Sequence, residues 1–328
     1  MSDAAPDIEA IRALRAQLGE SVYRTPMLRC AAIESALNGT MEVHAKLEFL
    51  QRTGTFKARG ALATIHSLTA AQLSAGVTAV SAGNHAIATA YAARTLGTSA
   101  KVVMLKAASP VRVARCKEYG AEVVLADNVH DAFTLAERIR AQEGRYFVHP
   151  FEGPTIALGT GTIGLEISEQ LAEFDAVVVP VGGGGLIAGI ANAIKQLRPG
   201  VEVIGVEPEG ADSMHRSFAA GSPQSIGQVT TIADSLGAPF ALEYSFGLCR
   251  ANVDRLAMID DLALRRSMGF LFRSMKIAVE PACAATTAAL LGPLRESLAG
   301  KRVVIIFCGS NIDWDTFERW ALVEEDAA

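Results

Sequence analysis

The chain of 328 residues lacks three features that mark whole classes of protein. No C-x-x-C pair occurs, and the five cysteines are an odd number, widely separated and without a histidine at zinc spacing. No block of basic residues occurs either, because 30 Lys and Arg are scattered among 35 Asp and Glu. Apolar runs all fall far short of the roughly 20 residues that span a bilayer.

These absences argue against a disulfide framework, a cysteine-based zinc site, a nucleic-acid surface and a membrane span. The start of the chain also lacks the basic and apolar segments of a secretory signal. We therefore expect a cytoplasmic protein with reduced thiols that binds neither nucleic acid nor membrane. Half of the residues are apolar, so a chain of this length can bury a large core.

Short β-branched apolar runs alternate with amphipathic segments, which predicts strands and helices in turn. Such alternation is typical of an α/β fold with mostly parallel twisted sheets flanked by helices. We predict a large domain of residues 1–50 and 150–328 and a small domain of residues 51–149, with a turn-rich crossing near residue 150. The predicted strands are 43–47, 77–80, 102–105, 123–125, 176–181, 203–206 and 303–307.

Four consecutive glycines follow one of these strands directly, and residues 186–196 form a predicted helix after them. Glycine N–H groups at a helix N-terminus can approach an anion closely, which indicates a phosphate site. A tight turn that binds no ligand is the alternative. The glycines are Gly182, Gly183, Gly184 and Gly185.

The same segment is compatible with a dinucleotide site. Gly183-x-Gly185-x-x-Ala188 fits the looser fingerprint, and Glu207 lies where a ribose-binding acid would stand. This hypothesis leaves the other small-residue clusters unexplained, whereas a cofactor with one phosphate and an aldehyde explains them all.

Two such clusters also follow predicted strands. In Ser81-Ala82-Gly83-Asn84-His85, N–H groups at a helix start suit a carboxylate, and the Asn84 amide suits a ring hydroxyl. His85 is either a base or a structural hydrogen-bonding residue. Cys308 is either a buried inert thiol or a weak donor that faces the cleft.

The last cluster surrounds Lys57. A lysine amine acts as a nucleophile only when it is deprotonated or held in an imine, which requires a partly desolvated cleft. Thr53-Gly54-Thr55 predicts a turn into a helix, and Arg59-Gly60-Ala61 suits close packing. An ordinary surface lysine is the alternative that the residue alone leaves open.

With these loops together, the chain resembles the serine/threonine dehydratase (ammonia-lyase) group of fold-type II pyridoxal-phosphate enzymes, which also contains serine racemases. The likeness runs from Arg24 to Asp313. The motifs that carry it are Lys46-x-Glu48-x-x-Gln51-x-Thr53-Gly54-Thr55-Phe56-Lys57-x-Arg59-Gly60-Ala61, Ser81-Ala82-Gly83-Asn84-His85, the tetraglycine loop, Thr231-Ile232-Ala233-Asp234, Glu280-Pro281 and Cys308-Gly309-Ser310-Asn311.

The resemblance implies a fold like that of the tryptophan synthase β subunit, with pyridoxal 5'-phosphate as cofactor. It makes Lys57 the Schiff-base lysine and the base that removes the Cα proton. The implied cofactor contacts are Lys57, Phe56, Asn84 at the ring hydroxyl, Gly182 to Gly185 with the N–H of Leu186 at the phosphate, and Cys308 at the pyridine nitrogen. The implied substrate contacts are Ser81, Ala82, Gly83 and His85, in the small domain.

The implied reaction is α,β-elimination, which converts L-threonine, L-serine or a relative to a 2-oxo acid and ammonia in a homo-oligomer such as a homodimer. A neutral thiol at Cys308 cannot hold the pyridine nitrogen protonated, which favours elimination over transamination. Serine racemases usually carry a second serine where this chain has Ala82. Efficient racemisation is therefore not expected.

Several alternatives stay open. Substitutions around the pocket leave room for 3-hydroxyaspartate or a hydroxylated diamino acid, as in a catabolic pathway such as hydroxyectoine breakdown. An amino-acid racemase and a non-catalytic nucleotide-binding regulatory protein are the others. The chain ends 15 residues after Asp313, so we expect no C-terminal effector domain and a catabolic role.

The family often binds a divalent cation beyond the glycine loop. Glu207 and the carbonyl of Ala211 match two of its ligands, and Ser213 stands where a second carboxylate is common. Hard oxygen ligands suit Mg²⁺ or Ca²⁺, so the resemblance leaves a cation site open.

Overall fold

The computed structural model describes residues 4–81 and 83–322, which fold around two sheets. The strands are β1 (Met27–Arg29), β2 (Glu42–Lys46), β3 (Val77–Val80), β4 (Ala100–Leu105), β5 (Glu122–Ala126), β6 (Tyr146–Phe147), β7 (Ala176–Pro180), β8 (Glu202–Pro208), β9 (Arg255–Ile259) and β10 (Arg302–Ile306). The larger sheet has the order β1-β2-β10-β7-β8-β9, and the smaller sheet has the order β5-β4-β3-β6.

Helices connect and cover the strands. They are α1 (Ile8–Leu18), α2 (Ala31–Ala36), α3 (Lys57–His66), α4 (Ala70–Ala75), α5 (Asn84–Thr95), α6 (Pro110–Glu118), α7 (Val129–Glu143), α8 (Pro154–Gln170), α9 (Gly185–Leu197), α10 (Ser213–Ala220), α11 (Glu243–Asn252), α12 (Asp261–Met275), α13 (Pro281–Leu291) and α14 (Trp314–Ala321). Within the described ranges, no helix is long and apolar enough to cross a membrane.

The predicted α/β fold is confirmed, with parallel sheets flanked by helices. Each predicted strand lies within two residues of an observed one. The sequence did not predict β1, β6 and β9, which are short or only half-buried. One of them, β1, pairs antiparallel with β2 at the edge of the larger sheet.

Sheet membership changes near residues 50 and 150. The larger sheet takes its strands from residues 27–46 and 176–306, and the smaller sheet takes its strands from residues 77–147. Each sheet has its own apolar core. The exact domain boundaries at residues 50 and 150 stay a prediction.

Four charged side chains lie fully buried where β2, α3 and α8 meet. Lys46 ends β2, Glu48 follows it, Arg59 lies on α3 and Glu166 on α8. Arg59 donates to both oxygens of Glu48 at 2.8 and 2.9 Å and to both oxygens of Glu166 at 2.7 and 3.0 Å. Lys46 donates to Glu166 at 2.6 Å. We call these four residues the buried quartet; its formal charges sum to zero.

The quartet is stable because every charge has a partner. Although burial opposes the charged form, Glu48 and Glu166 hold the pKa of Arg59 above its ordinary value. Arg59 and Lys46 likewise keep the pKa of Glu166 below its ordinary value against the effect of burial. A Cβ on Gly159 of α8 would lie only 2.5 Å from the Arg59 carbonyl oxygen, so the glycine allows α3 and α8 to approach closely.

Replacing Glu166 with alanine should destabilise the fold strongly. The substitution leaves Lys46 and Arg59 buried with one carboxylate between them, and breaking a buried ion pair this way costs about 3–5 kcal/mol. Urea unfolding of the holoenzyme measures the loss. Glu118→Ala is the control, because its side chain is 62% exposed beside Arg115 and its removal should cost under about 0.5 kcal/mol. Equal losses in the two variants would show that the quartet is not a stabilising unit.

Candidate active site

Lys57 is the first residue of α3, directly after the turn predicted from Thr53-Gly54-Thr55. Gly54 has φ +75°, and a Cβ there would lie 2.5 Å from Oδ1 of Asn311. The turn is tied to the loop after β10, because the N–H of Phe56 donates to the Cys308 carbonyl at 3.1 Å. The start of α3 and the loop at residue 308 therefore hold each other in place.

The Lys57 side chain is partly buried, and its amine contacts the segment that follows β6. Nζ donates to the Pro150 carbonyl at 2.8 Å and lies 5.1 Å from the centre of the Phe56 ring. Burial lowers the pKa of Lys57 to about 8. A sizeable share of the amine is therefore neutral near physiological pH, as a base or nucleophile requires.

The tetraglycine loop joins β7 to α9. Gly184 has φ +88°, and α9 begins at Gly185. A Cβ on Gly183 would overlap the Phe151 ring, and one on Gly185 would overlap the Phe151 backbone. No side chain fits here, so the loop leaves N–H groups at a helix N-terminus, which fits the phosphate of the cofactor that the resemblance implies.

Asn84 lies at the start of α5 and faces the larger sheet. Its Nδ2 donates to both carboxyl oxygens of Glu280, at 2.9 and 3.0 Å, and to the Ser235 hydroxyl at 3.2 Å. Its Oδ1 accepts from Nδ2 of Asn311 at 2.9 Å. Burial raises the pKa of Glu280. Asn84 is therefore held firmly between loops of the larger sheet, and its role toward a ring hydroxyl stays a prediction.

The loop predicted to bind the substrate carboxylate continues from β3 into α5. The Ser81 hydroxyl accepts the Gly83 N–H at 3.1 Å. Ala82 lies outside the described residues. The His85 ring is buried and donates from Nε2 to the Val148 carbonyl at 2.8 Å, and burial lowers its pKa to about 3. The bond and the lowered pKa agree with the structural one of the two predicted roles, and the substrate contact of His85 stays a prediction.

Cys308 lies two residues after the end of β10 and is 3% exposed. A hydrogen bond with Cys283, together with burial, raises the pKa of the Cys308 thiol well above its ordinary value. The thiol is therefore neutral at physiological pH. Its place near Lys57 agrees with a neutral partner for the pyridine nitrogen, a role that stays a prediction.

The predicted cation ligands Glu207, Ala211 and Ser213 lie at the end of β8 and the start of α10, and their role stays a prediction. Glu207 accepts the N–H groups of Met214 and His215, at 2.9 and 2.6 Å, in the first turn of α10. Burial raises its pKa to about 8. The nearby Asp212 carboxylate is paired with Arg216 at 2.9 Å, and the buried Ser213 hydroxyl has no hydrogen-bond partner. In residues 4–81 and 83–322, no group of three or more His, Cys, Asp or Glu could hold a metal.

Sequence reasoning missed residues that complete the site. His149 Nδ1 accepts the N–H groups of Phe151 and Glu152 at 3.3 and 2.9 Å, which fixes the turn that presents the Pro150 carbonyl to Lys57. Arg112 of α6 lies against Gly83, in the loop predicted to bind the substrate carboxylate. The histidine belonged to the turn-rich crossing already noted in the sequence, but no local pattern marked Arg112.

Comparisons with known proteins agree with this site. A family model described as pyridoxal-phosphate dependent enzyme matches residues 18–309. A phenylserine dehydratase of Ralstonia pickettii is 55% identical over 314 residues, covering 96% of each chain. A catabolic L-threonine dehydratase of Escherichia coli (strain K12) is 40% identical over 308 residues, covering 93% of each chain.

A solved structure extends the agreement to the fold. Maize serine racemase superposes with a TM-score of 0.91 at 34% identity, covering 96% of this chain and 97% of that one. These matches confirm the family that the strand-end loops predicted. The chain belongs to the pyridoxal-phosphate dependent enzymes, in the fold-type II group of dehydratases, ammonia-lyases and serine racemases.

Proposed function

We propose that this enzyme converts a β-hydroxy amino acid with an aromatic side chain to a 2-oxo acid and ammonia by α,β-elimination. One observation carries the proposal: the Lys57 amine, with its lowered pKa, donates to the Pro150 carbonyl between two aromatic residues, His149 and Phe151. The amine suits removal of a Cα proton. The rings of His149 and Phe151 suit contact with an aryl group on the substrate Cβ.

The chain's own residues divide the work of elimination. Pyridoxal phosphate, when bound, would withdraw electrons from the substrate Cα, and Lys57, Asn84, the glycine loop and Cys308 would hold it. Lys57 takes the Cα proton in its neutral form. The Pro150 carbonyl then accepts a hydrogen bond from the resulting ammonium. The electrons of the broken Cα–H bond form the Cα=Cβ bond as the Cβ–O bond breaks, and the hydroxyl group takes up a proton and leaves as water.

Four aromatic rings form a row that includes His149 and Phe151, the residues on either side of Pro150. The ring centres of Phe147 and His149 lie 6.0 Å apart, those of His149 and Phe151 4.7 Å, and those of Phe151 and Phe240 6.2 Å. These rings are only partly buried. Such rings offer edge and face contacts to a phenyl group. The similarity to a phenylserine dehydratase supports the same substrate class.

L-Threonine, L-serine and 3-hydroxyaspartate remain substrates to compare. The row of rings offers no charge for a second carboxylate, so we place 3-hydroxyaspartate behind phenylserine. We do not propose racemisation, because Ala82 has no proton to give. The expected cytoplasmic location, which rests on the absences in the sequence, and the homo-oligomeric state, which the family suggests, are likewise proposals.

We further propose that the enzyme needs no divalent cation. Each oxygen of Glu207 already accepts an N–H group from the first turn of α10, and the partly positive end of that helix takes the place of a metal charge. Only one carboxyl group is available among the three predicted ligands, whereas Mg²⁺ and Ca²⁺ sites draw their affinity from several.

A substrate panel tests the reaction. Phenylserine, threonine, serine and 3-hydroxyaspartate are each incubated with the holoenzyme, and release of 2-oxo acid and ammonia is followed. Phenylserine should give the highest kcat/KM, and Lys57→Ala should lower kcat by on the order of a thousandfold or more. The control, Lys117→Ala on the surface of α6, should keep full activity. Higher kcat/KM on threonine would reject the aryl preference, and full activity of Lys57→Ala would reject the mechanism.

The pH dependence of kcat should show the Lys57 amine. The amine is protonated below its pKa of about 8 and neutral above it, so kcat should rise about tenfold per pH unit well below pH 8 and level off above it. Measuring kcat at saturating phenylserine removes the titration of the free substrate amine. A rise centred near 10.5, the ordinary lysine value, would mean that burial does not set the basicity.

Removal of divalent cations should leave activity and melting temperature unchanged. Holoenzyme is assayed in EDTA and then in excess Mg²⁺ or Ca²⁺. Ser213→Asp adds a second carboxylate beside Glu207, and this variant alone should gain stability with Ca²⁺, as any ligand of the native state does. If EDTA inactivates the natural enzyme and Ca²⁺ or Mg²⁺ restores it, the cation-free proposal is wrong.

A further inference from the structure

We propose that Arg112 is a positioning residue that locks the substrate loop, residues 81 and 83–85, against the loops of the larger sheet. The inference rests on the proposed function, because it assigns that loop to the substrate carboxylate. Arg112 lies on α6, which packs with the smaller sheet, whereas its hydrogen-bond acceptors belong to segments around the larger sheet.

The guanidinium group makes three bonds across the cleft. Nη1 donates to the Asp234 carboxylate at 2.6 Å, and Nε and Nη2 donate to the Asn311 carbonyl at 3.2 and 3.0 Å. The Arg112 side chain is only 14% exposed. Charge-assisted bonds of this kind fix both distance and orientation, so they can hold the two halves of the site in register.

The same group lies directly on the substrate loop. A Cβ on Gly83 would be 2.8 Å from Nη1 and 3.2 Å from Cζ of Arg112. Any larger residue at this position would therefore displace the guanidinium group. Because Gly83 has no side chain, the Arg112 guanidinium lies close to the N-terminus of α5. The guanidinium group and the helix N-terminus each attract a carboxylate.

Arg112 also closes a ring of polar contacts around Asn84. Asp234 accepts a bond from Ser235 at 3.3 Å, Ser235 accepts one from Asn84 at 3.2 Å, and Asn84 accepts one from Asn311 at 2.9 Å. The ring closes at the Asn311 carbonyl, which accepts the bonds from Arg112. Loss of Arg112 removes its links to Asp234 and Asn311 at once and takes away the group packed against Gly83, while Asn84 keeps its own bonds to Glu280, Ser235 and Asn311.

This role differs from plain structural support. The Asp234 side chain is 56% exposed, so it stays hydrated when its partner is lost, and stability should change little. Substrate binding, in contrast, would have to order the loop again at each encounter. Removing the Arg112 side chain should therefore raise KM more than it lowers kcat.

The experiment compares Arg112→Ala, Asp234→Ala and the double variant with the natural holoenzyme. L-Alanine lacks a β-hydroxyl group and cannot lose water, so its dissociation constant, read from the change in cofactor absorbance, reports binding alone. We expect Arg112→Ala to weaken L-alanine binding and raise the KM for phenylserine by about tenfold to a hundredfold, with kcat within about threefold. The double variant should lose no more than Arg112→Ala, because the pair acts as one unit.

Arg115→Ala is the matched control, since Arg115 lies on the same helix but its side chain is 46% exposed beside Glu118. It should leave both constants unchanged. Arg112→Lys should be intermediate, because an ammonium group keeps the charge but loses the planar fork. If Arg112→Ala binds L-alanine like Arg115→Ala, or lowers only kcat or melting temperature, the proposal is wrong. L-Alanine binding gives this answer even if phenylserine is not turned over.

Discussion

The buried quartet is the interaction on which the rest of this structure depends. Arg59 lies two residues after Lys57 on α3, and its bonds to Glu48 and Glu166 fix that helix against β2 and α8. Two positive and two negative groups can be buried together because each neutralises another. The fixed helix begins with Lys57, whose amine donates to the Pro150 carbonyl.

The contacts across the mouth of the cleft have a different character. The quartet is fully buried and joins segments whose relative positions must not change, whereas Arg112 bonds to a carboxylate that is largely exposed. Exposed pairs contribute little to stability and exchange readily with water. The base therefore lies on a rigid support, whereas the Arg112–Asp234 pair lies where water can reach its carboxylate.

Local pattern predicted most of the fold and the loops of the site. Strands, glycine turns and helix starts each depend on a few neighbouring residues, so the tetraglycine loop and the segment at residues 81–85 were visible in the sequence. What could not be predicted depends on distant partners. Glu166 is 107 residues from Arg59, and Arg112 is 122 residues from Asp234. The hydrogen-bond partner of His85 could not be predicted for the same reason, since only the fold brings the Val148 carbonyl to its ring.

The arrangement of charge explains why the Lys57 amine is a base at all. Its closest acidic groups, Cys308 and Glu280, would raise its pKa if they were ionised. The hydrogen bond with Cys283 and burial keep the thiol neutral, and burial raises the pKa of the carboxyl group. Burial lowers the Lys57 pKa and outweighs the opposing effects of Cys308 and Glu280. The lysine can lose its proton near physiological pH because its amine is desolvated.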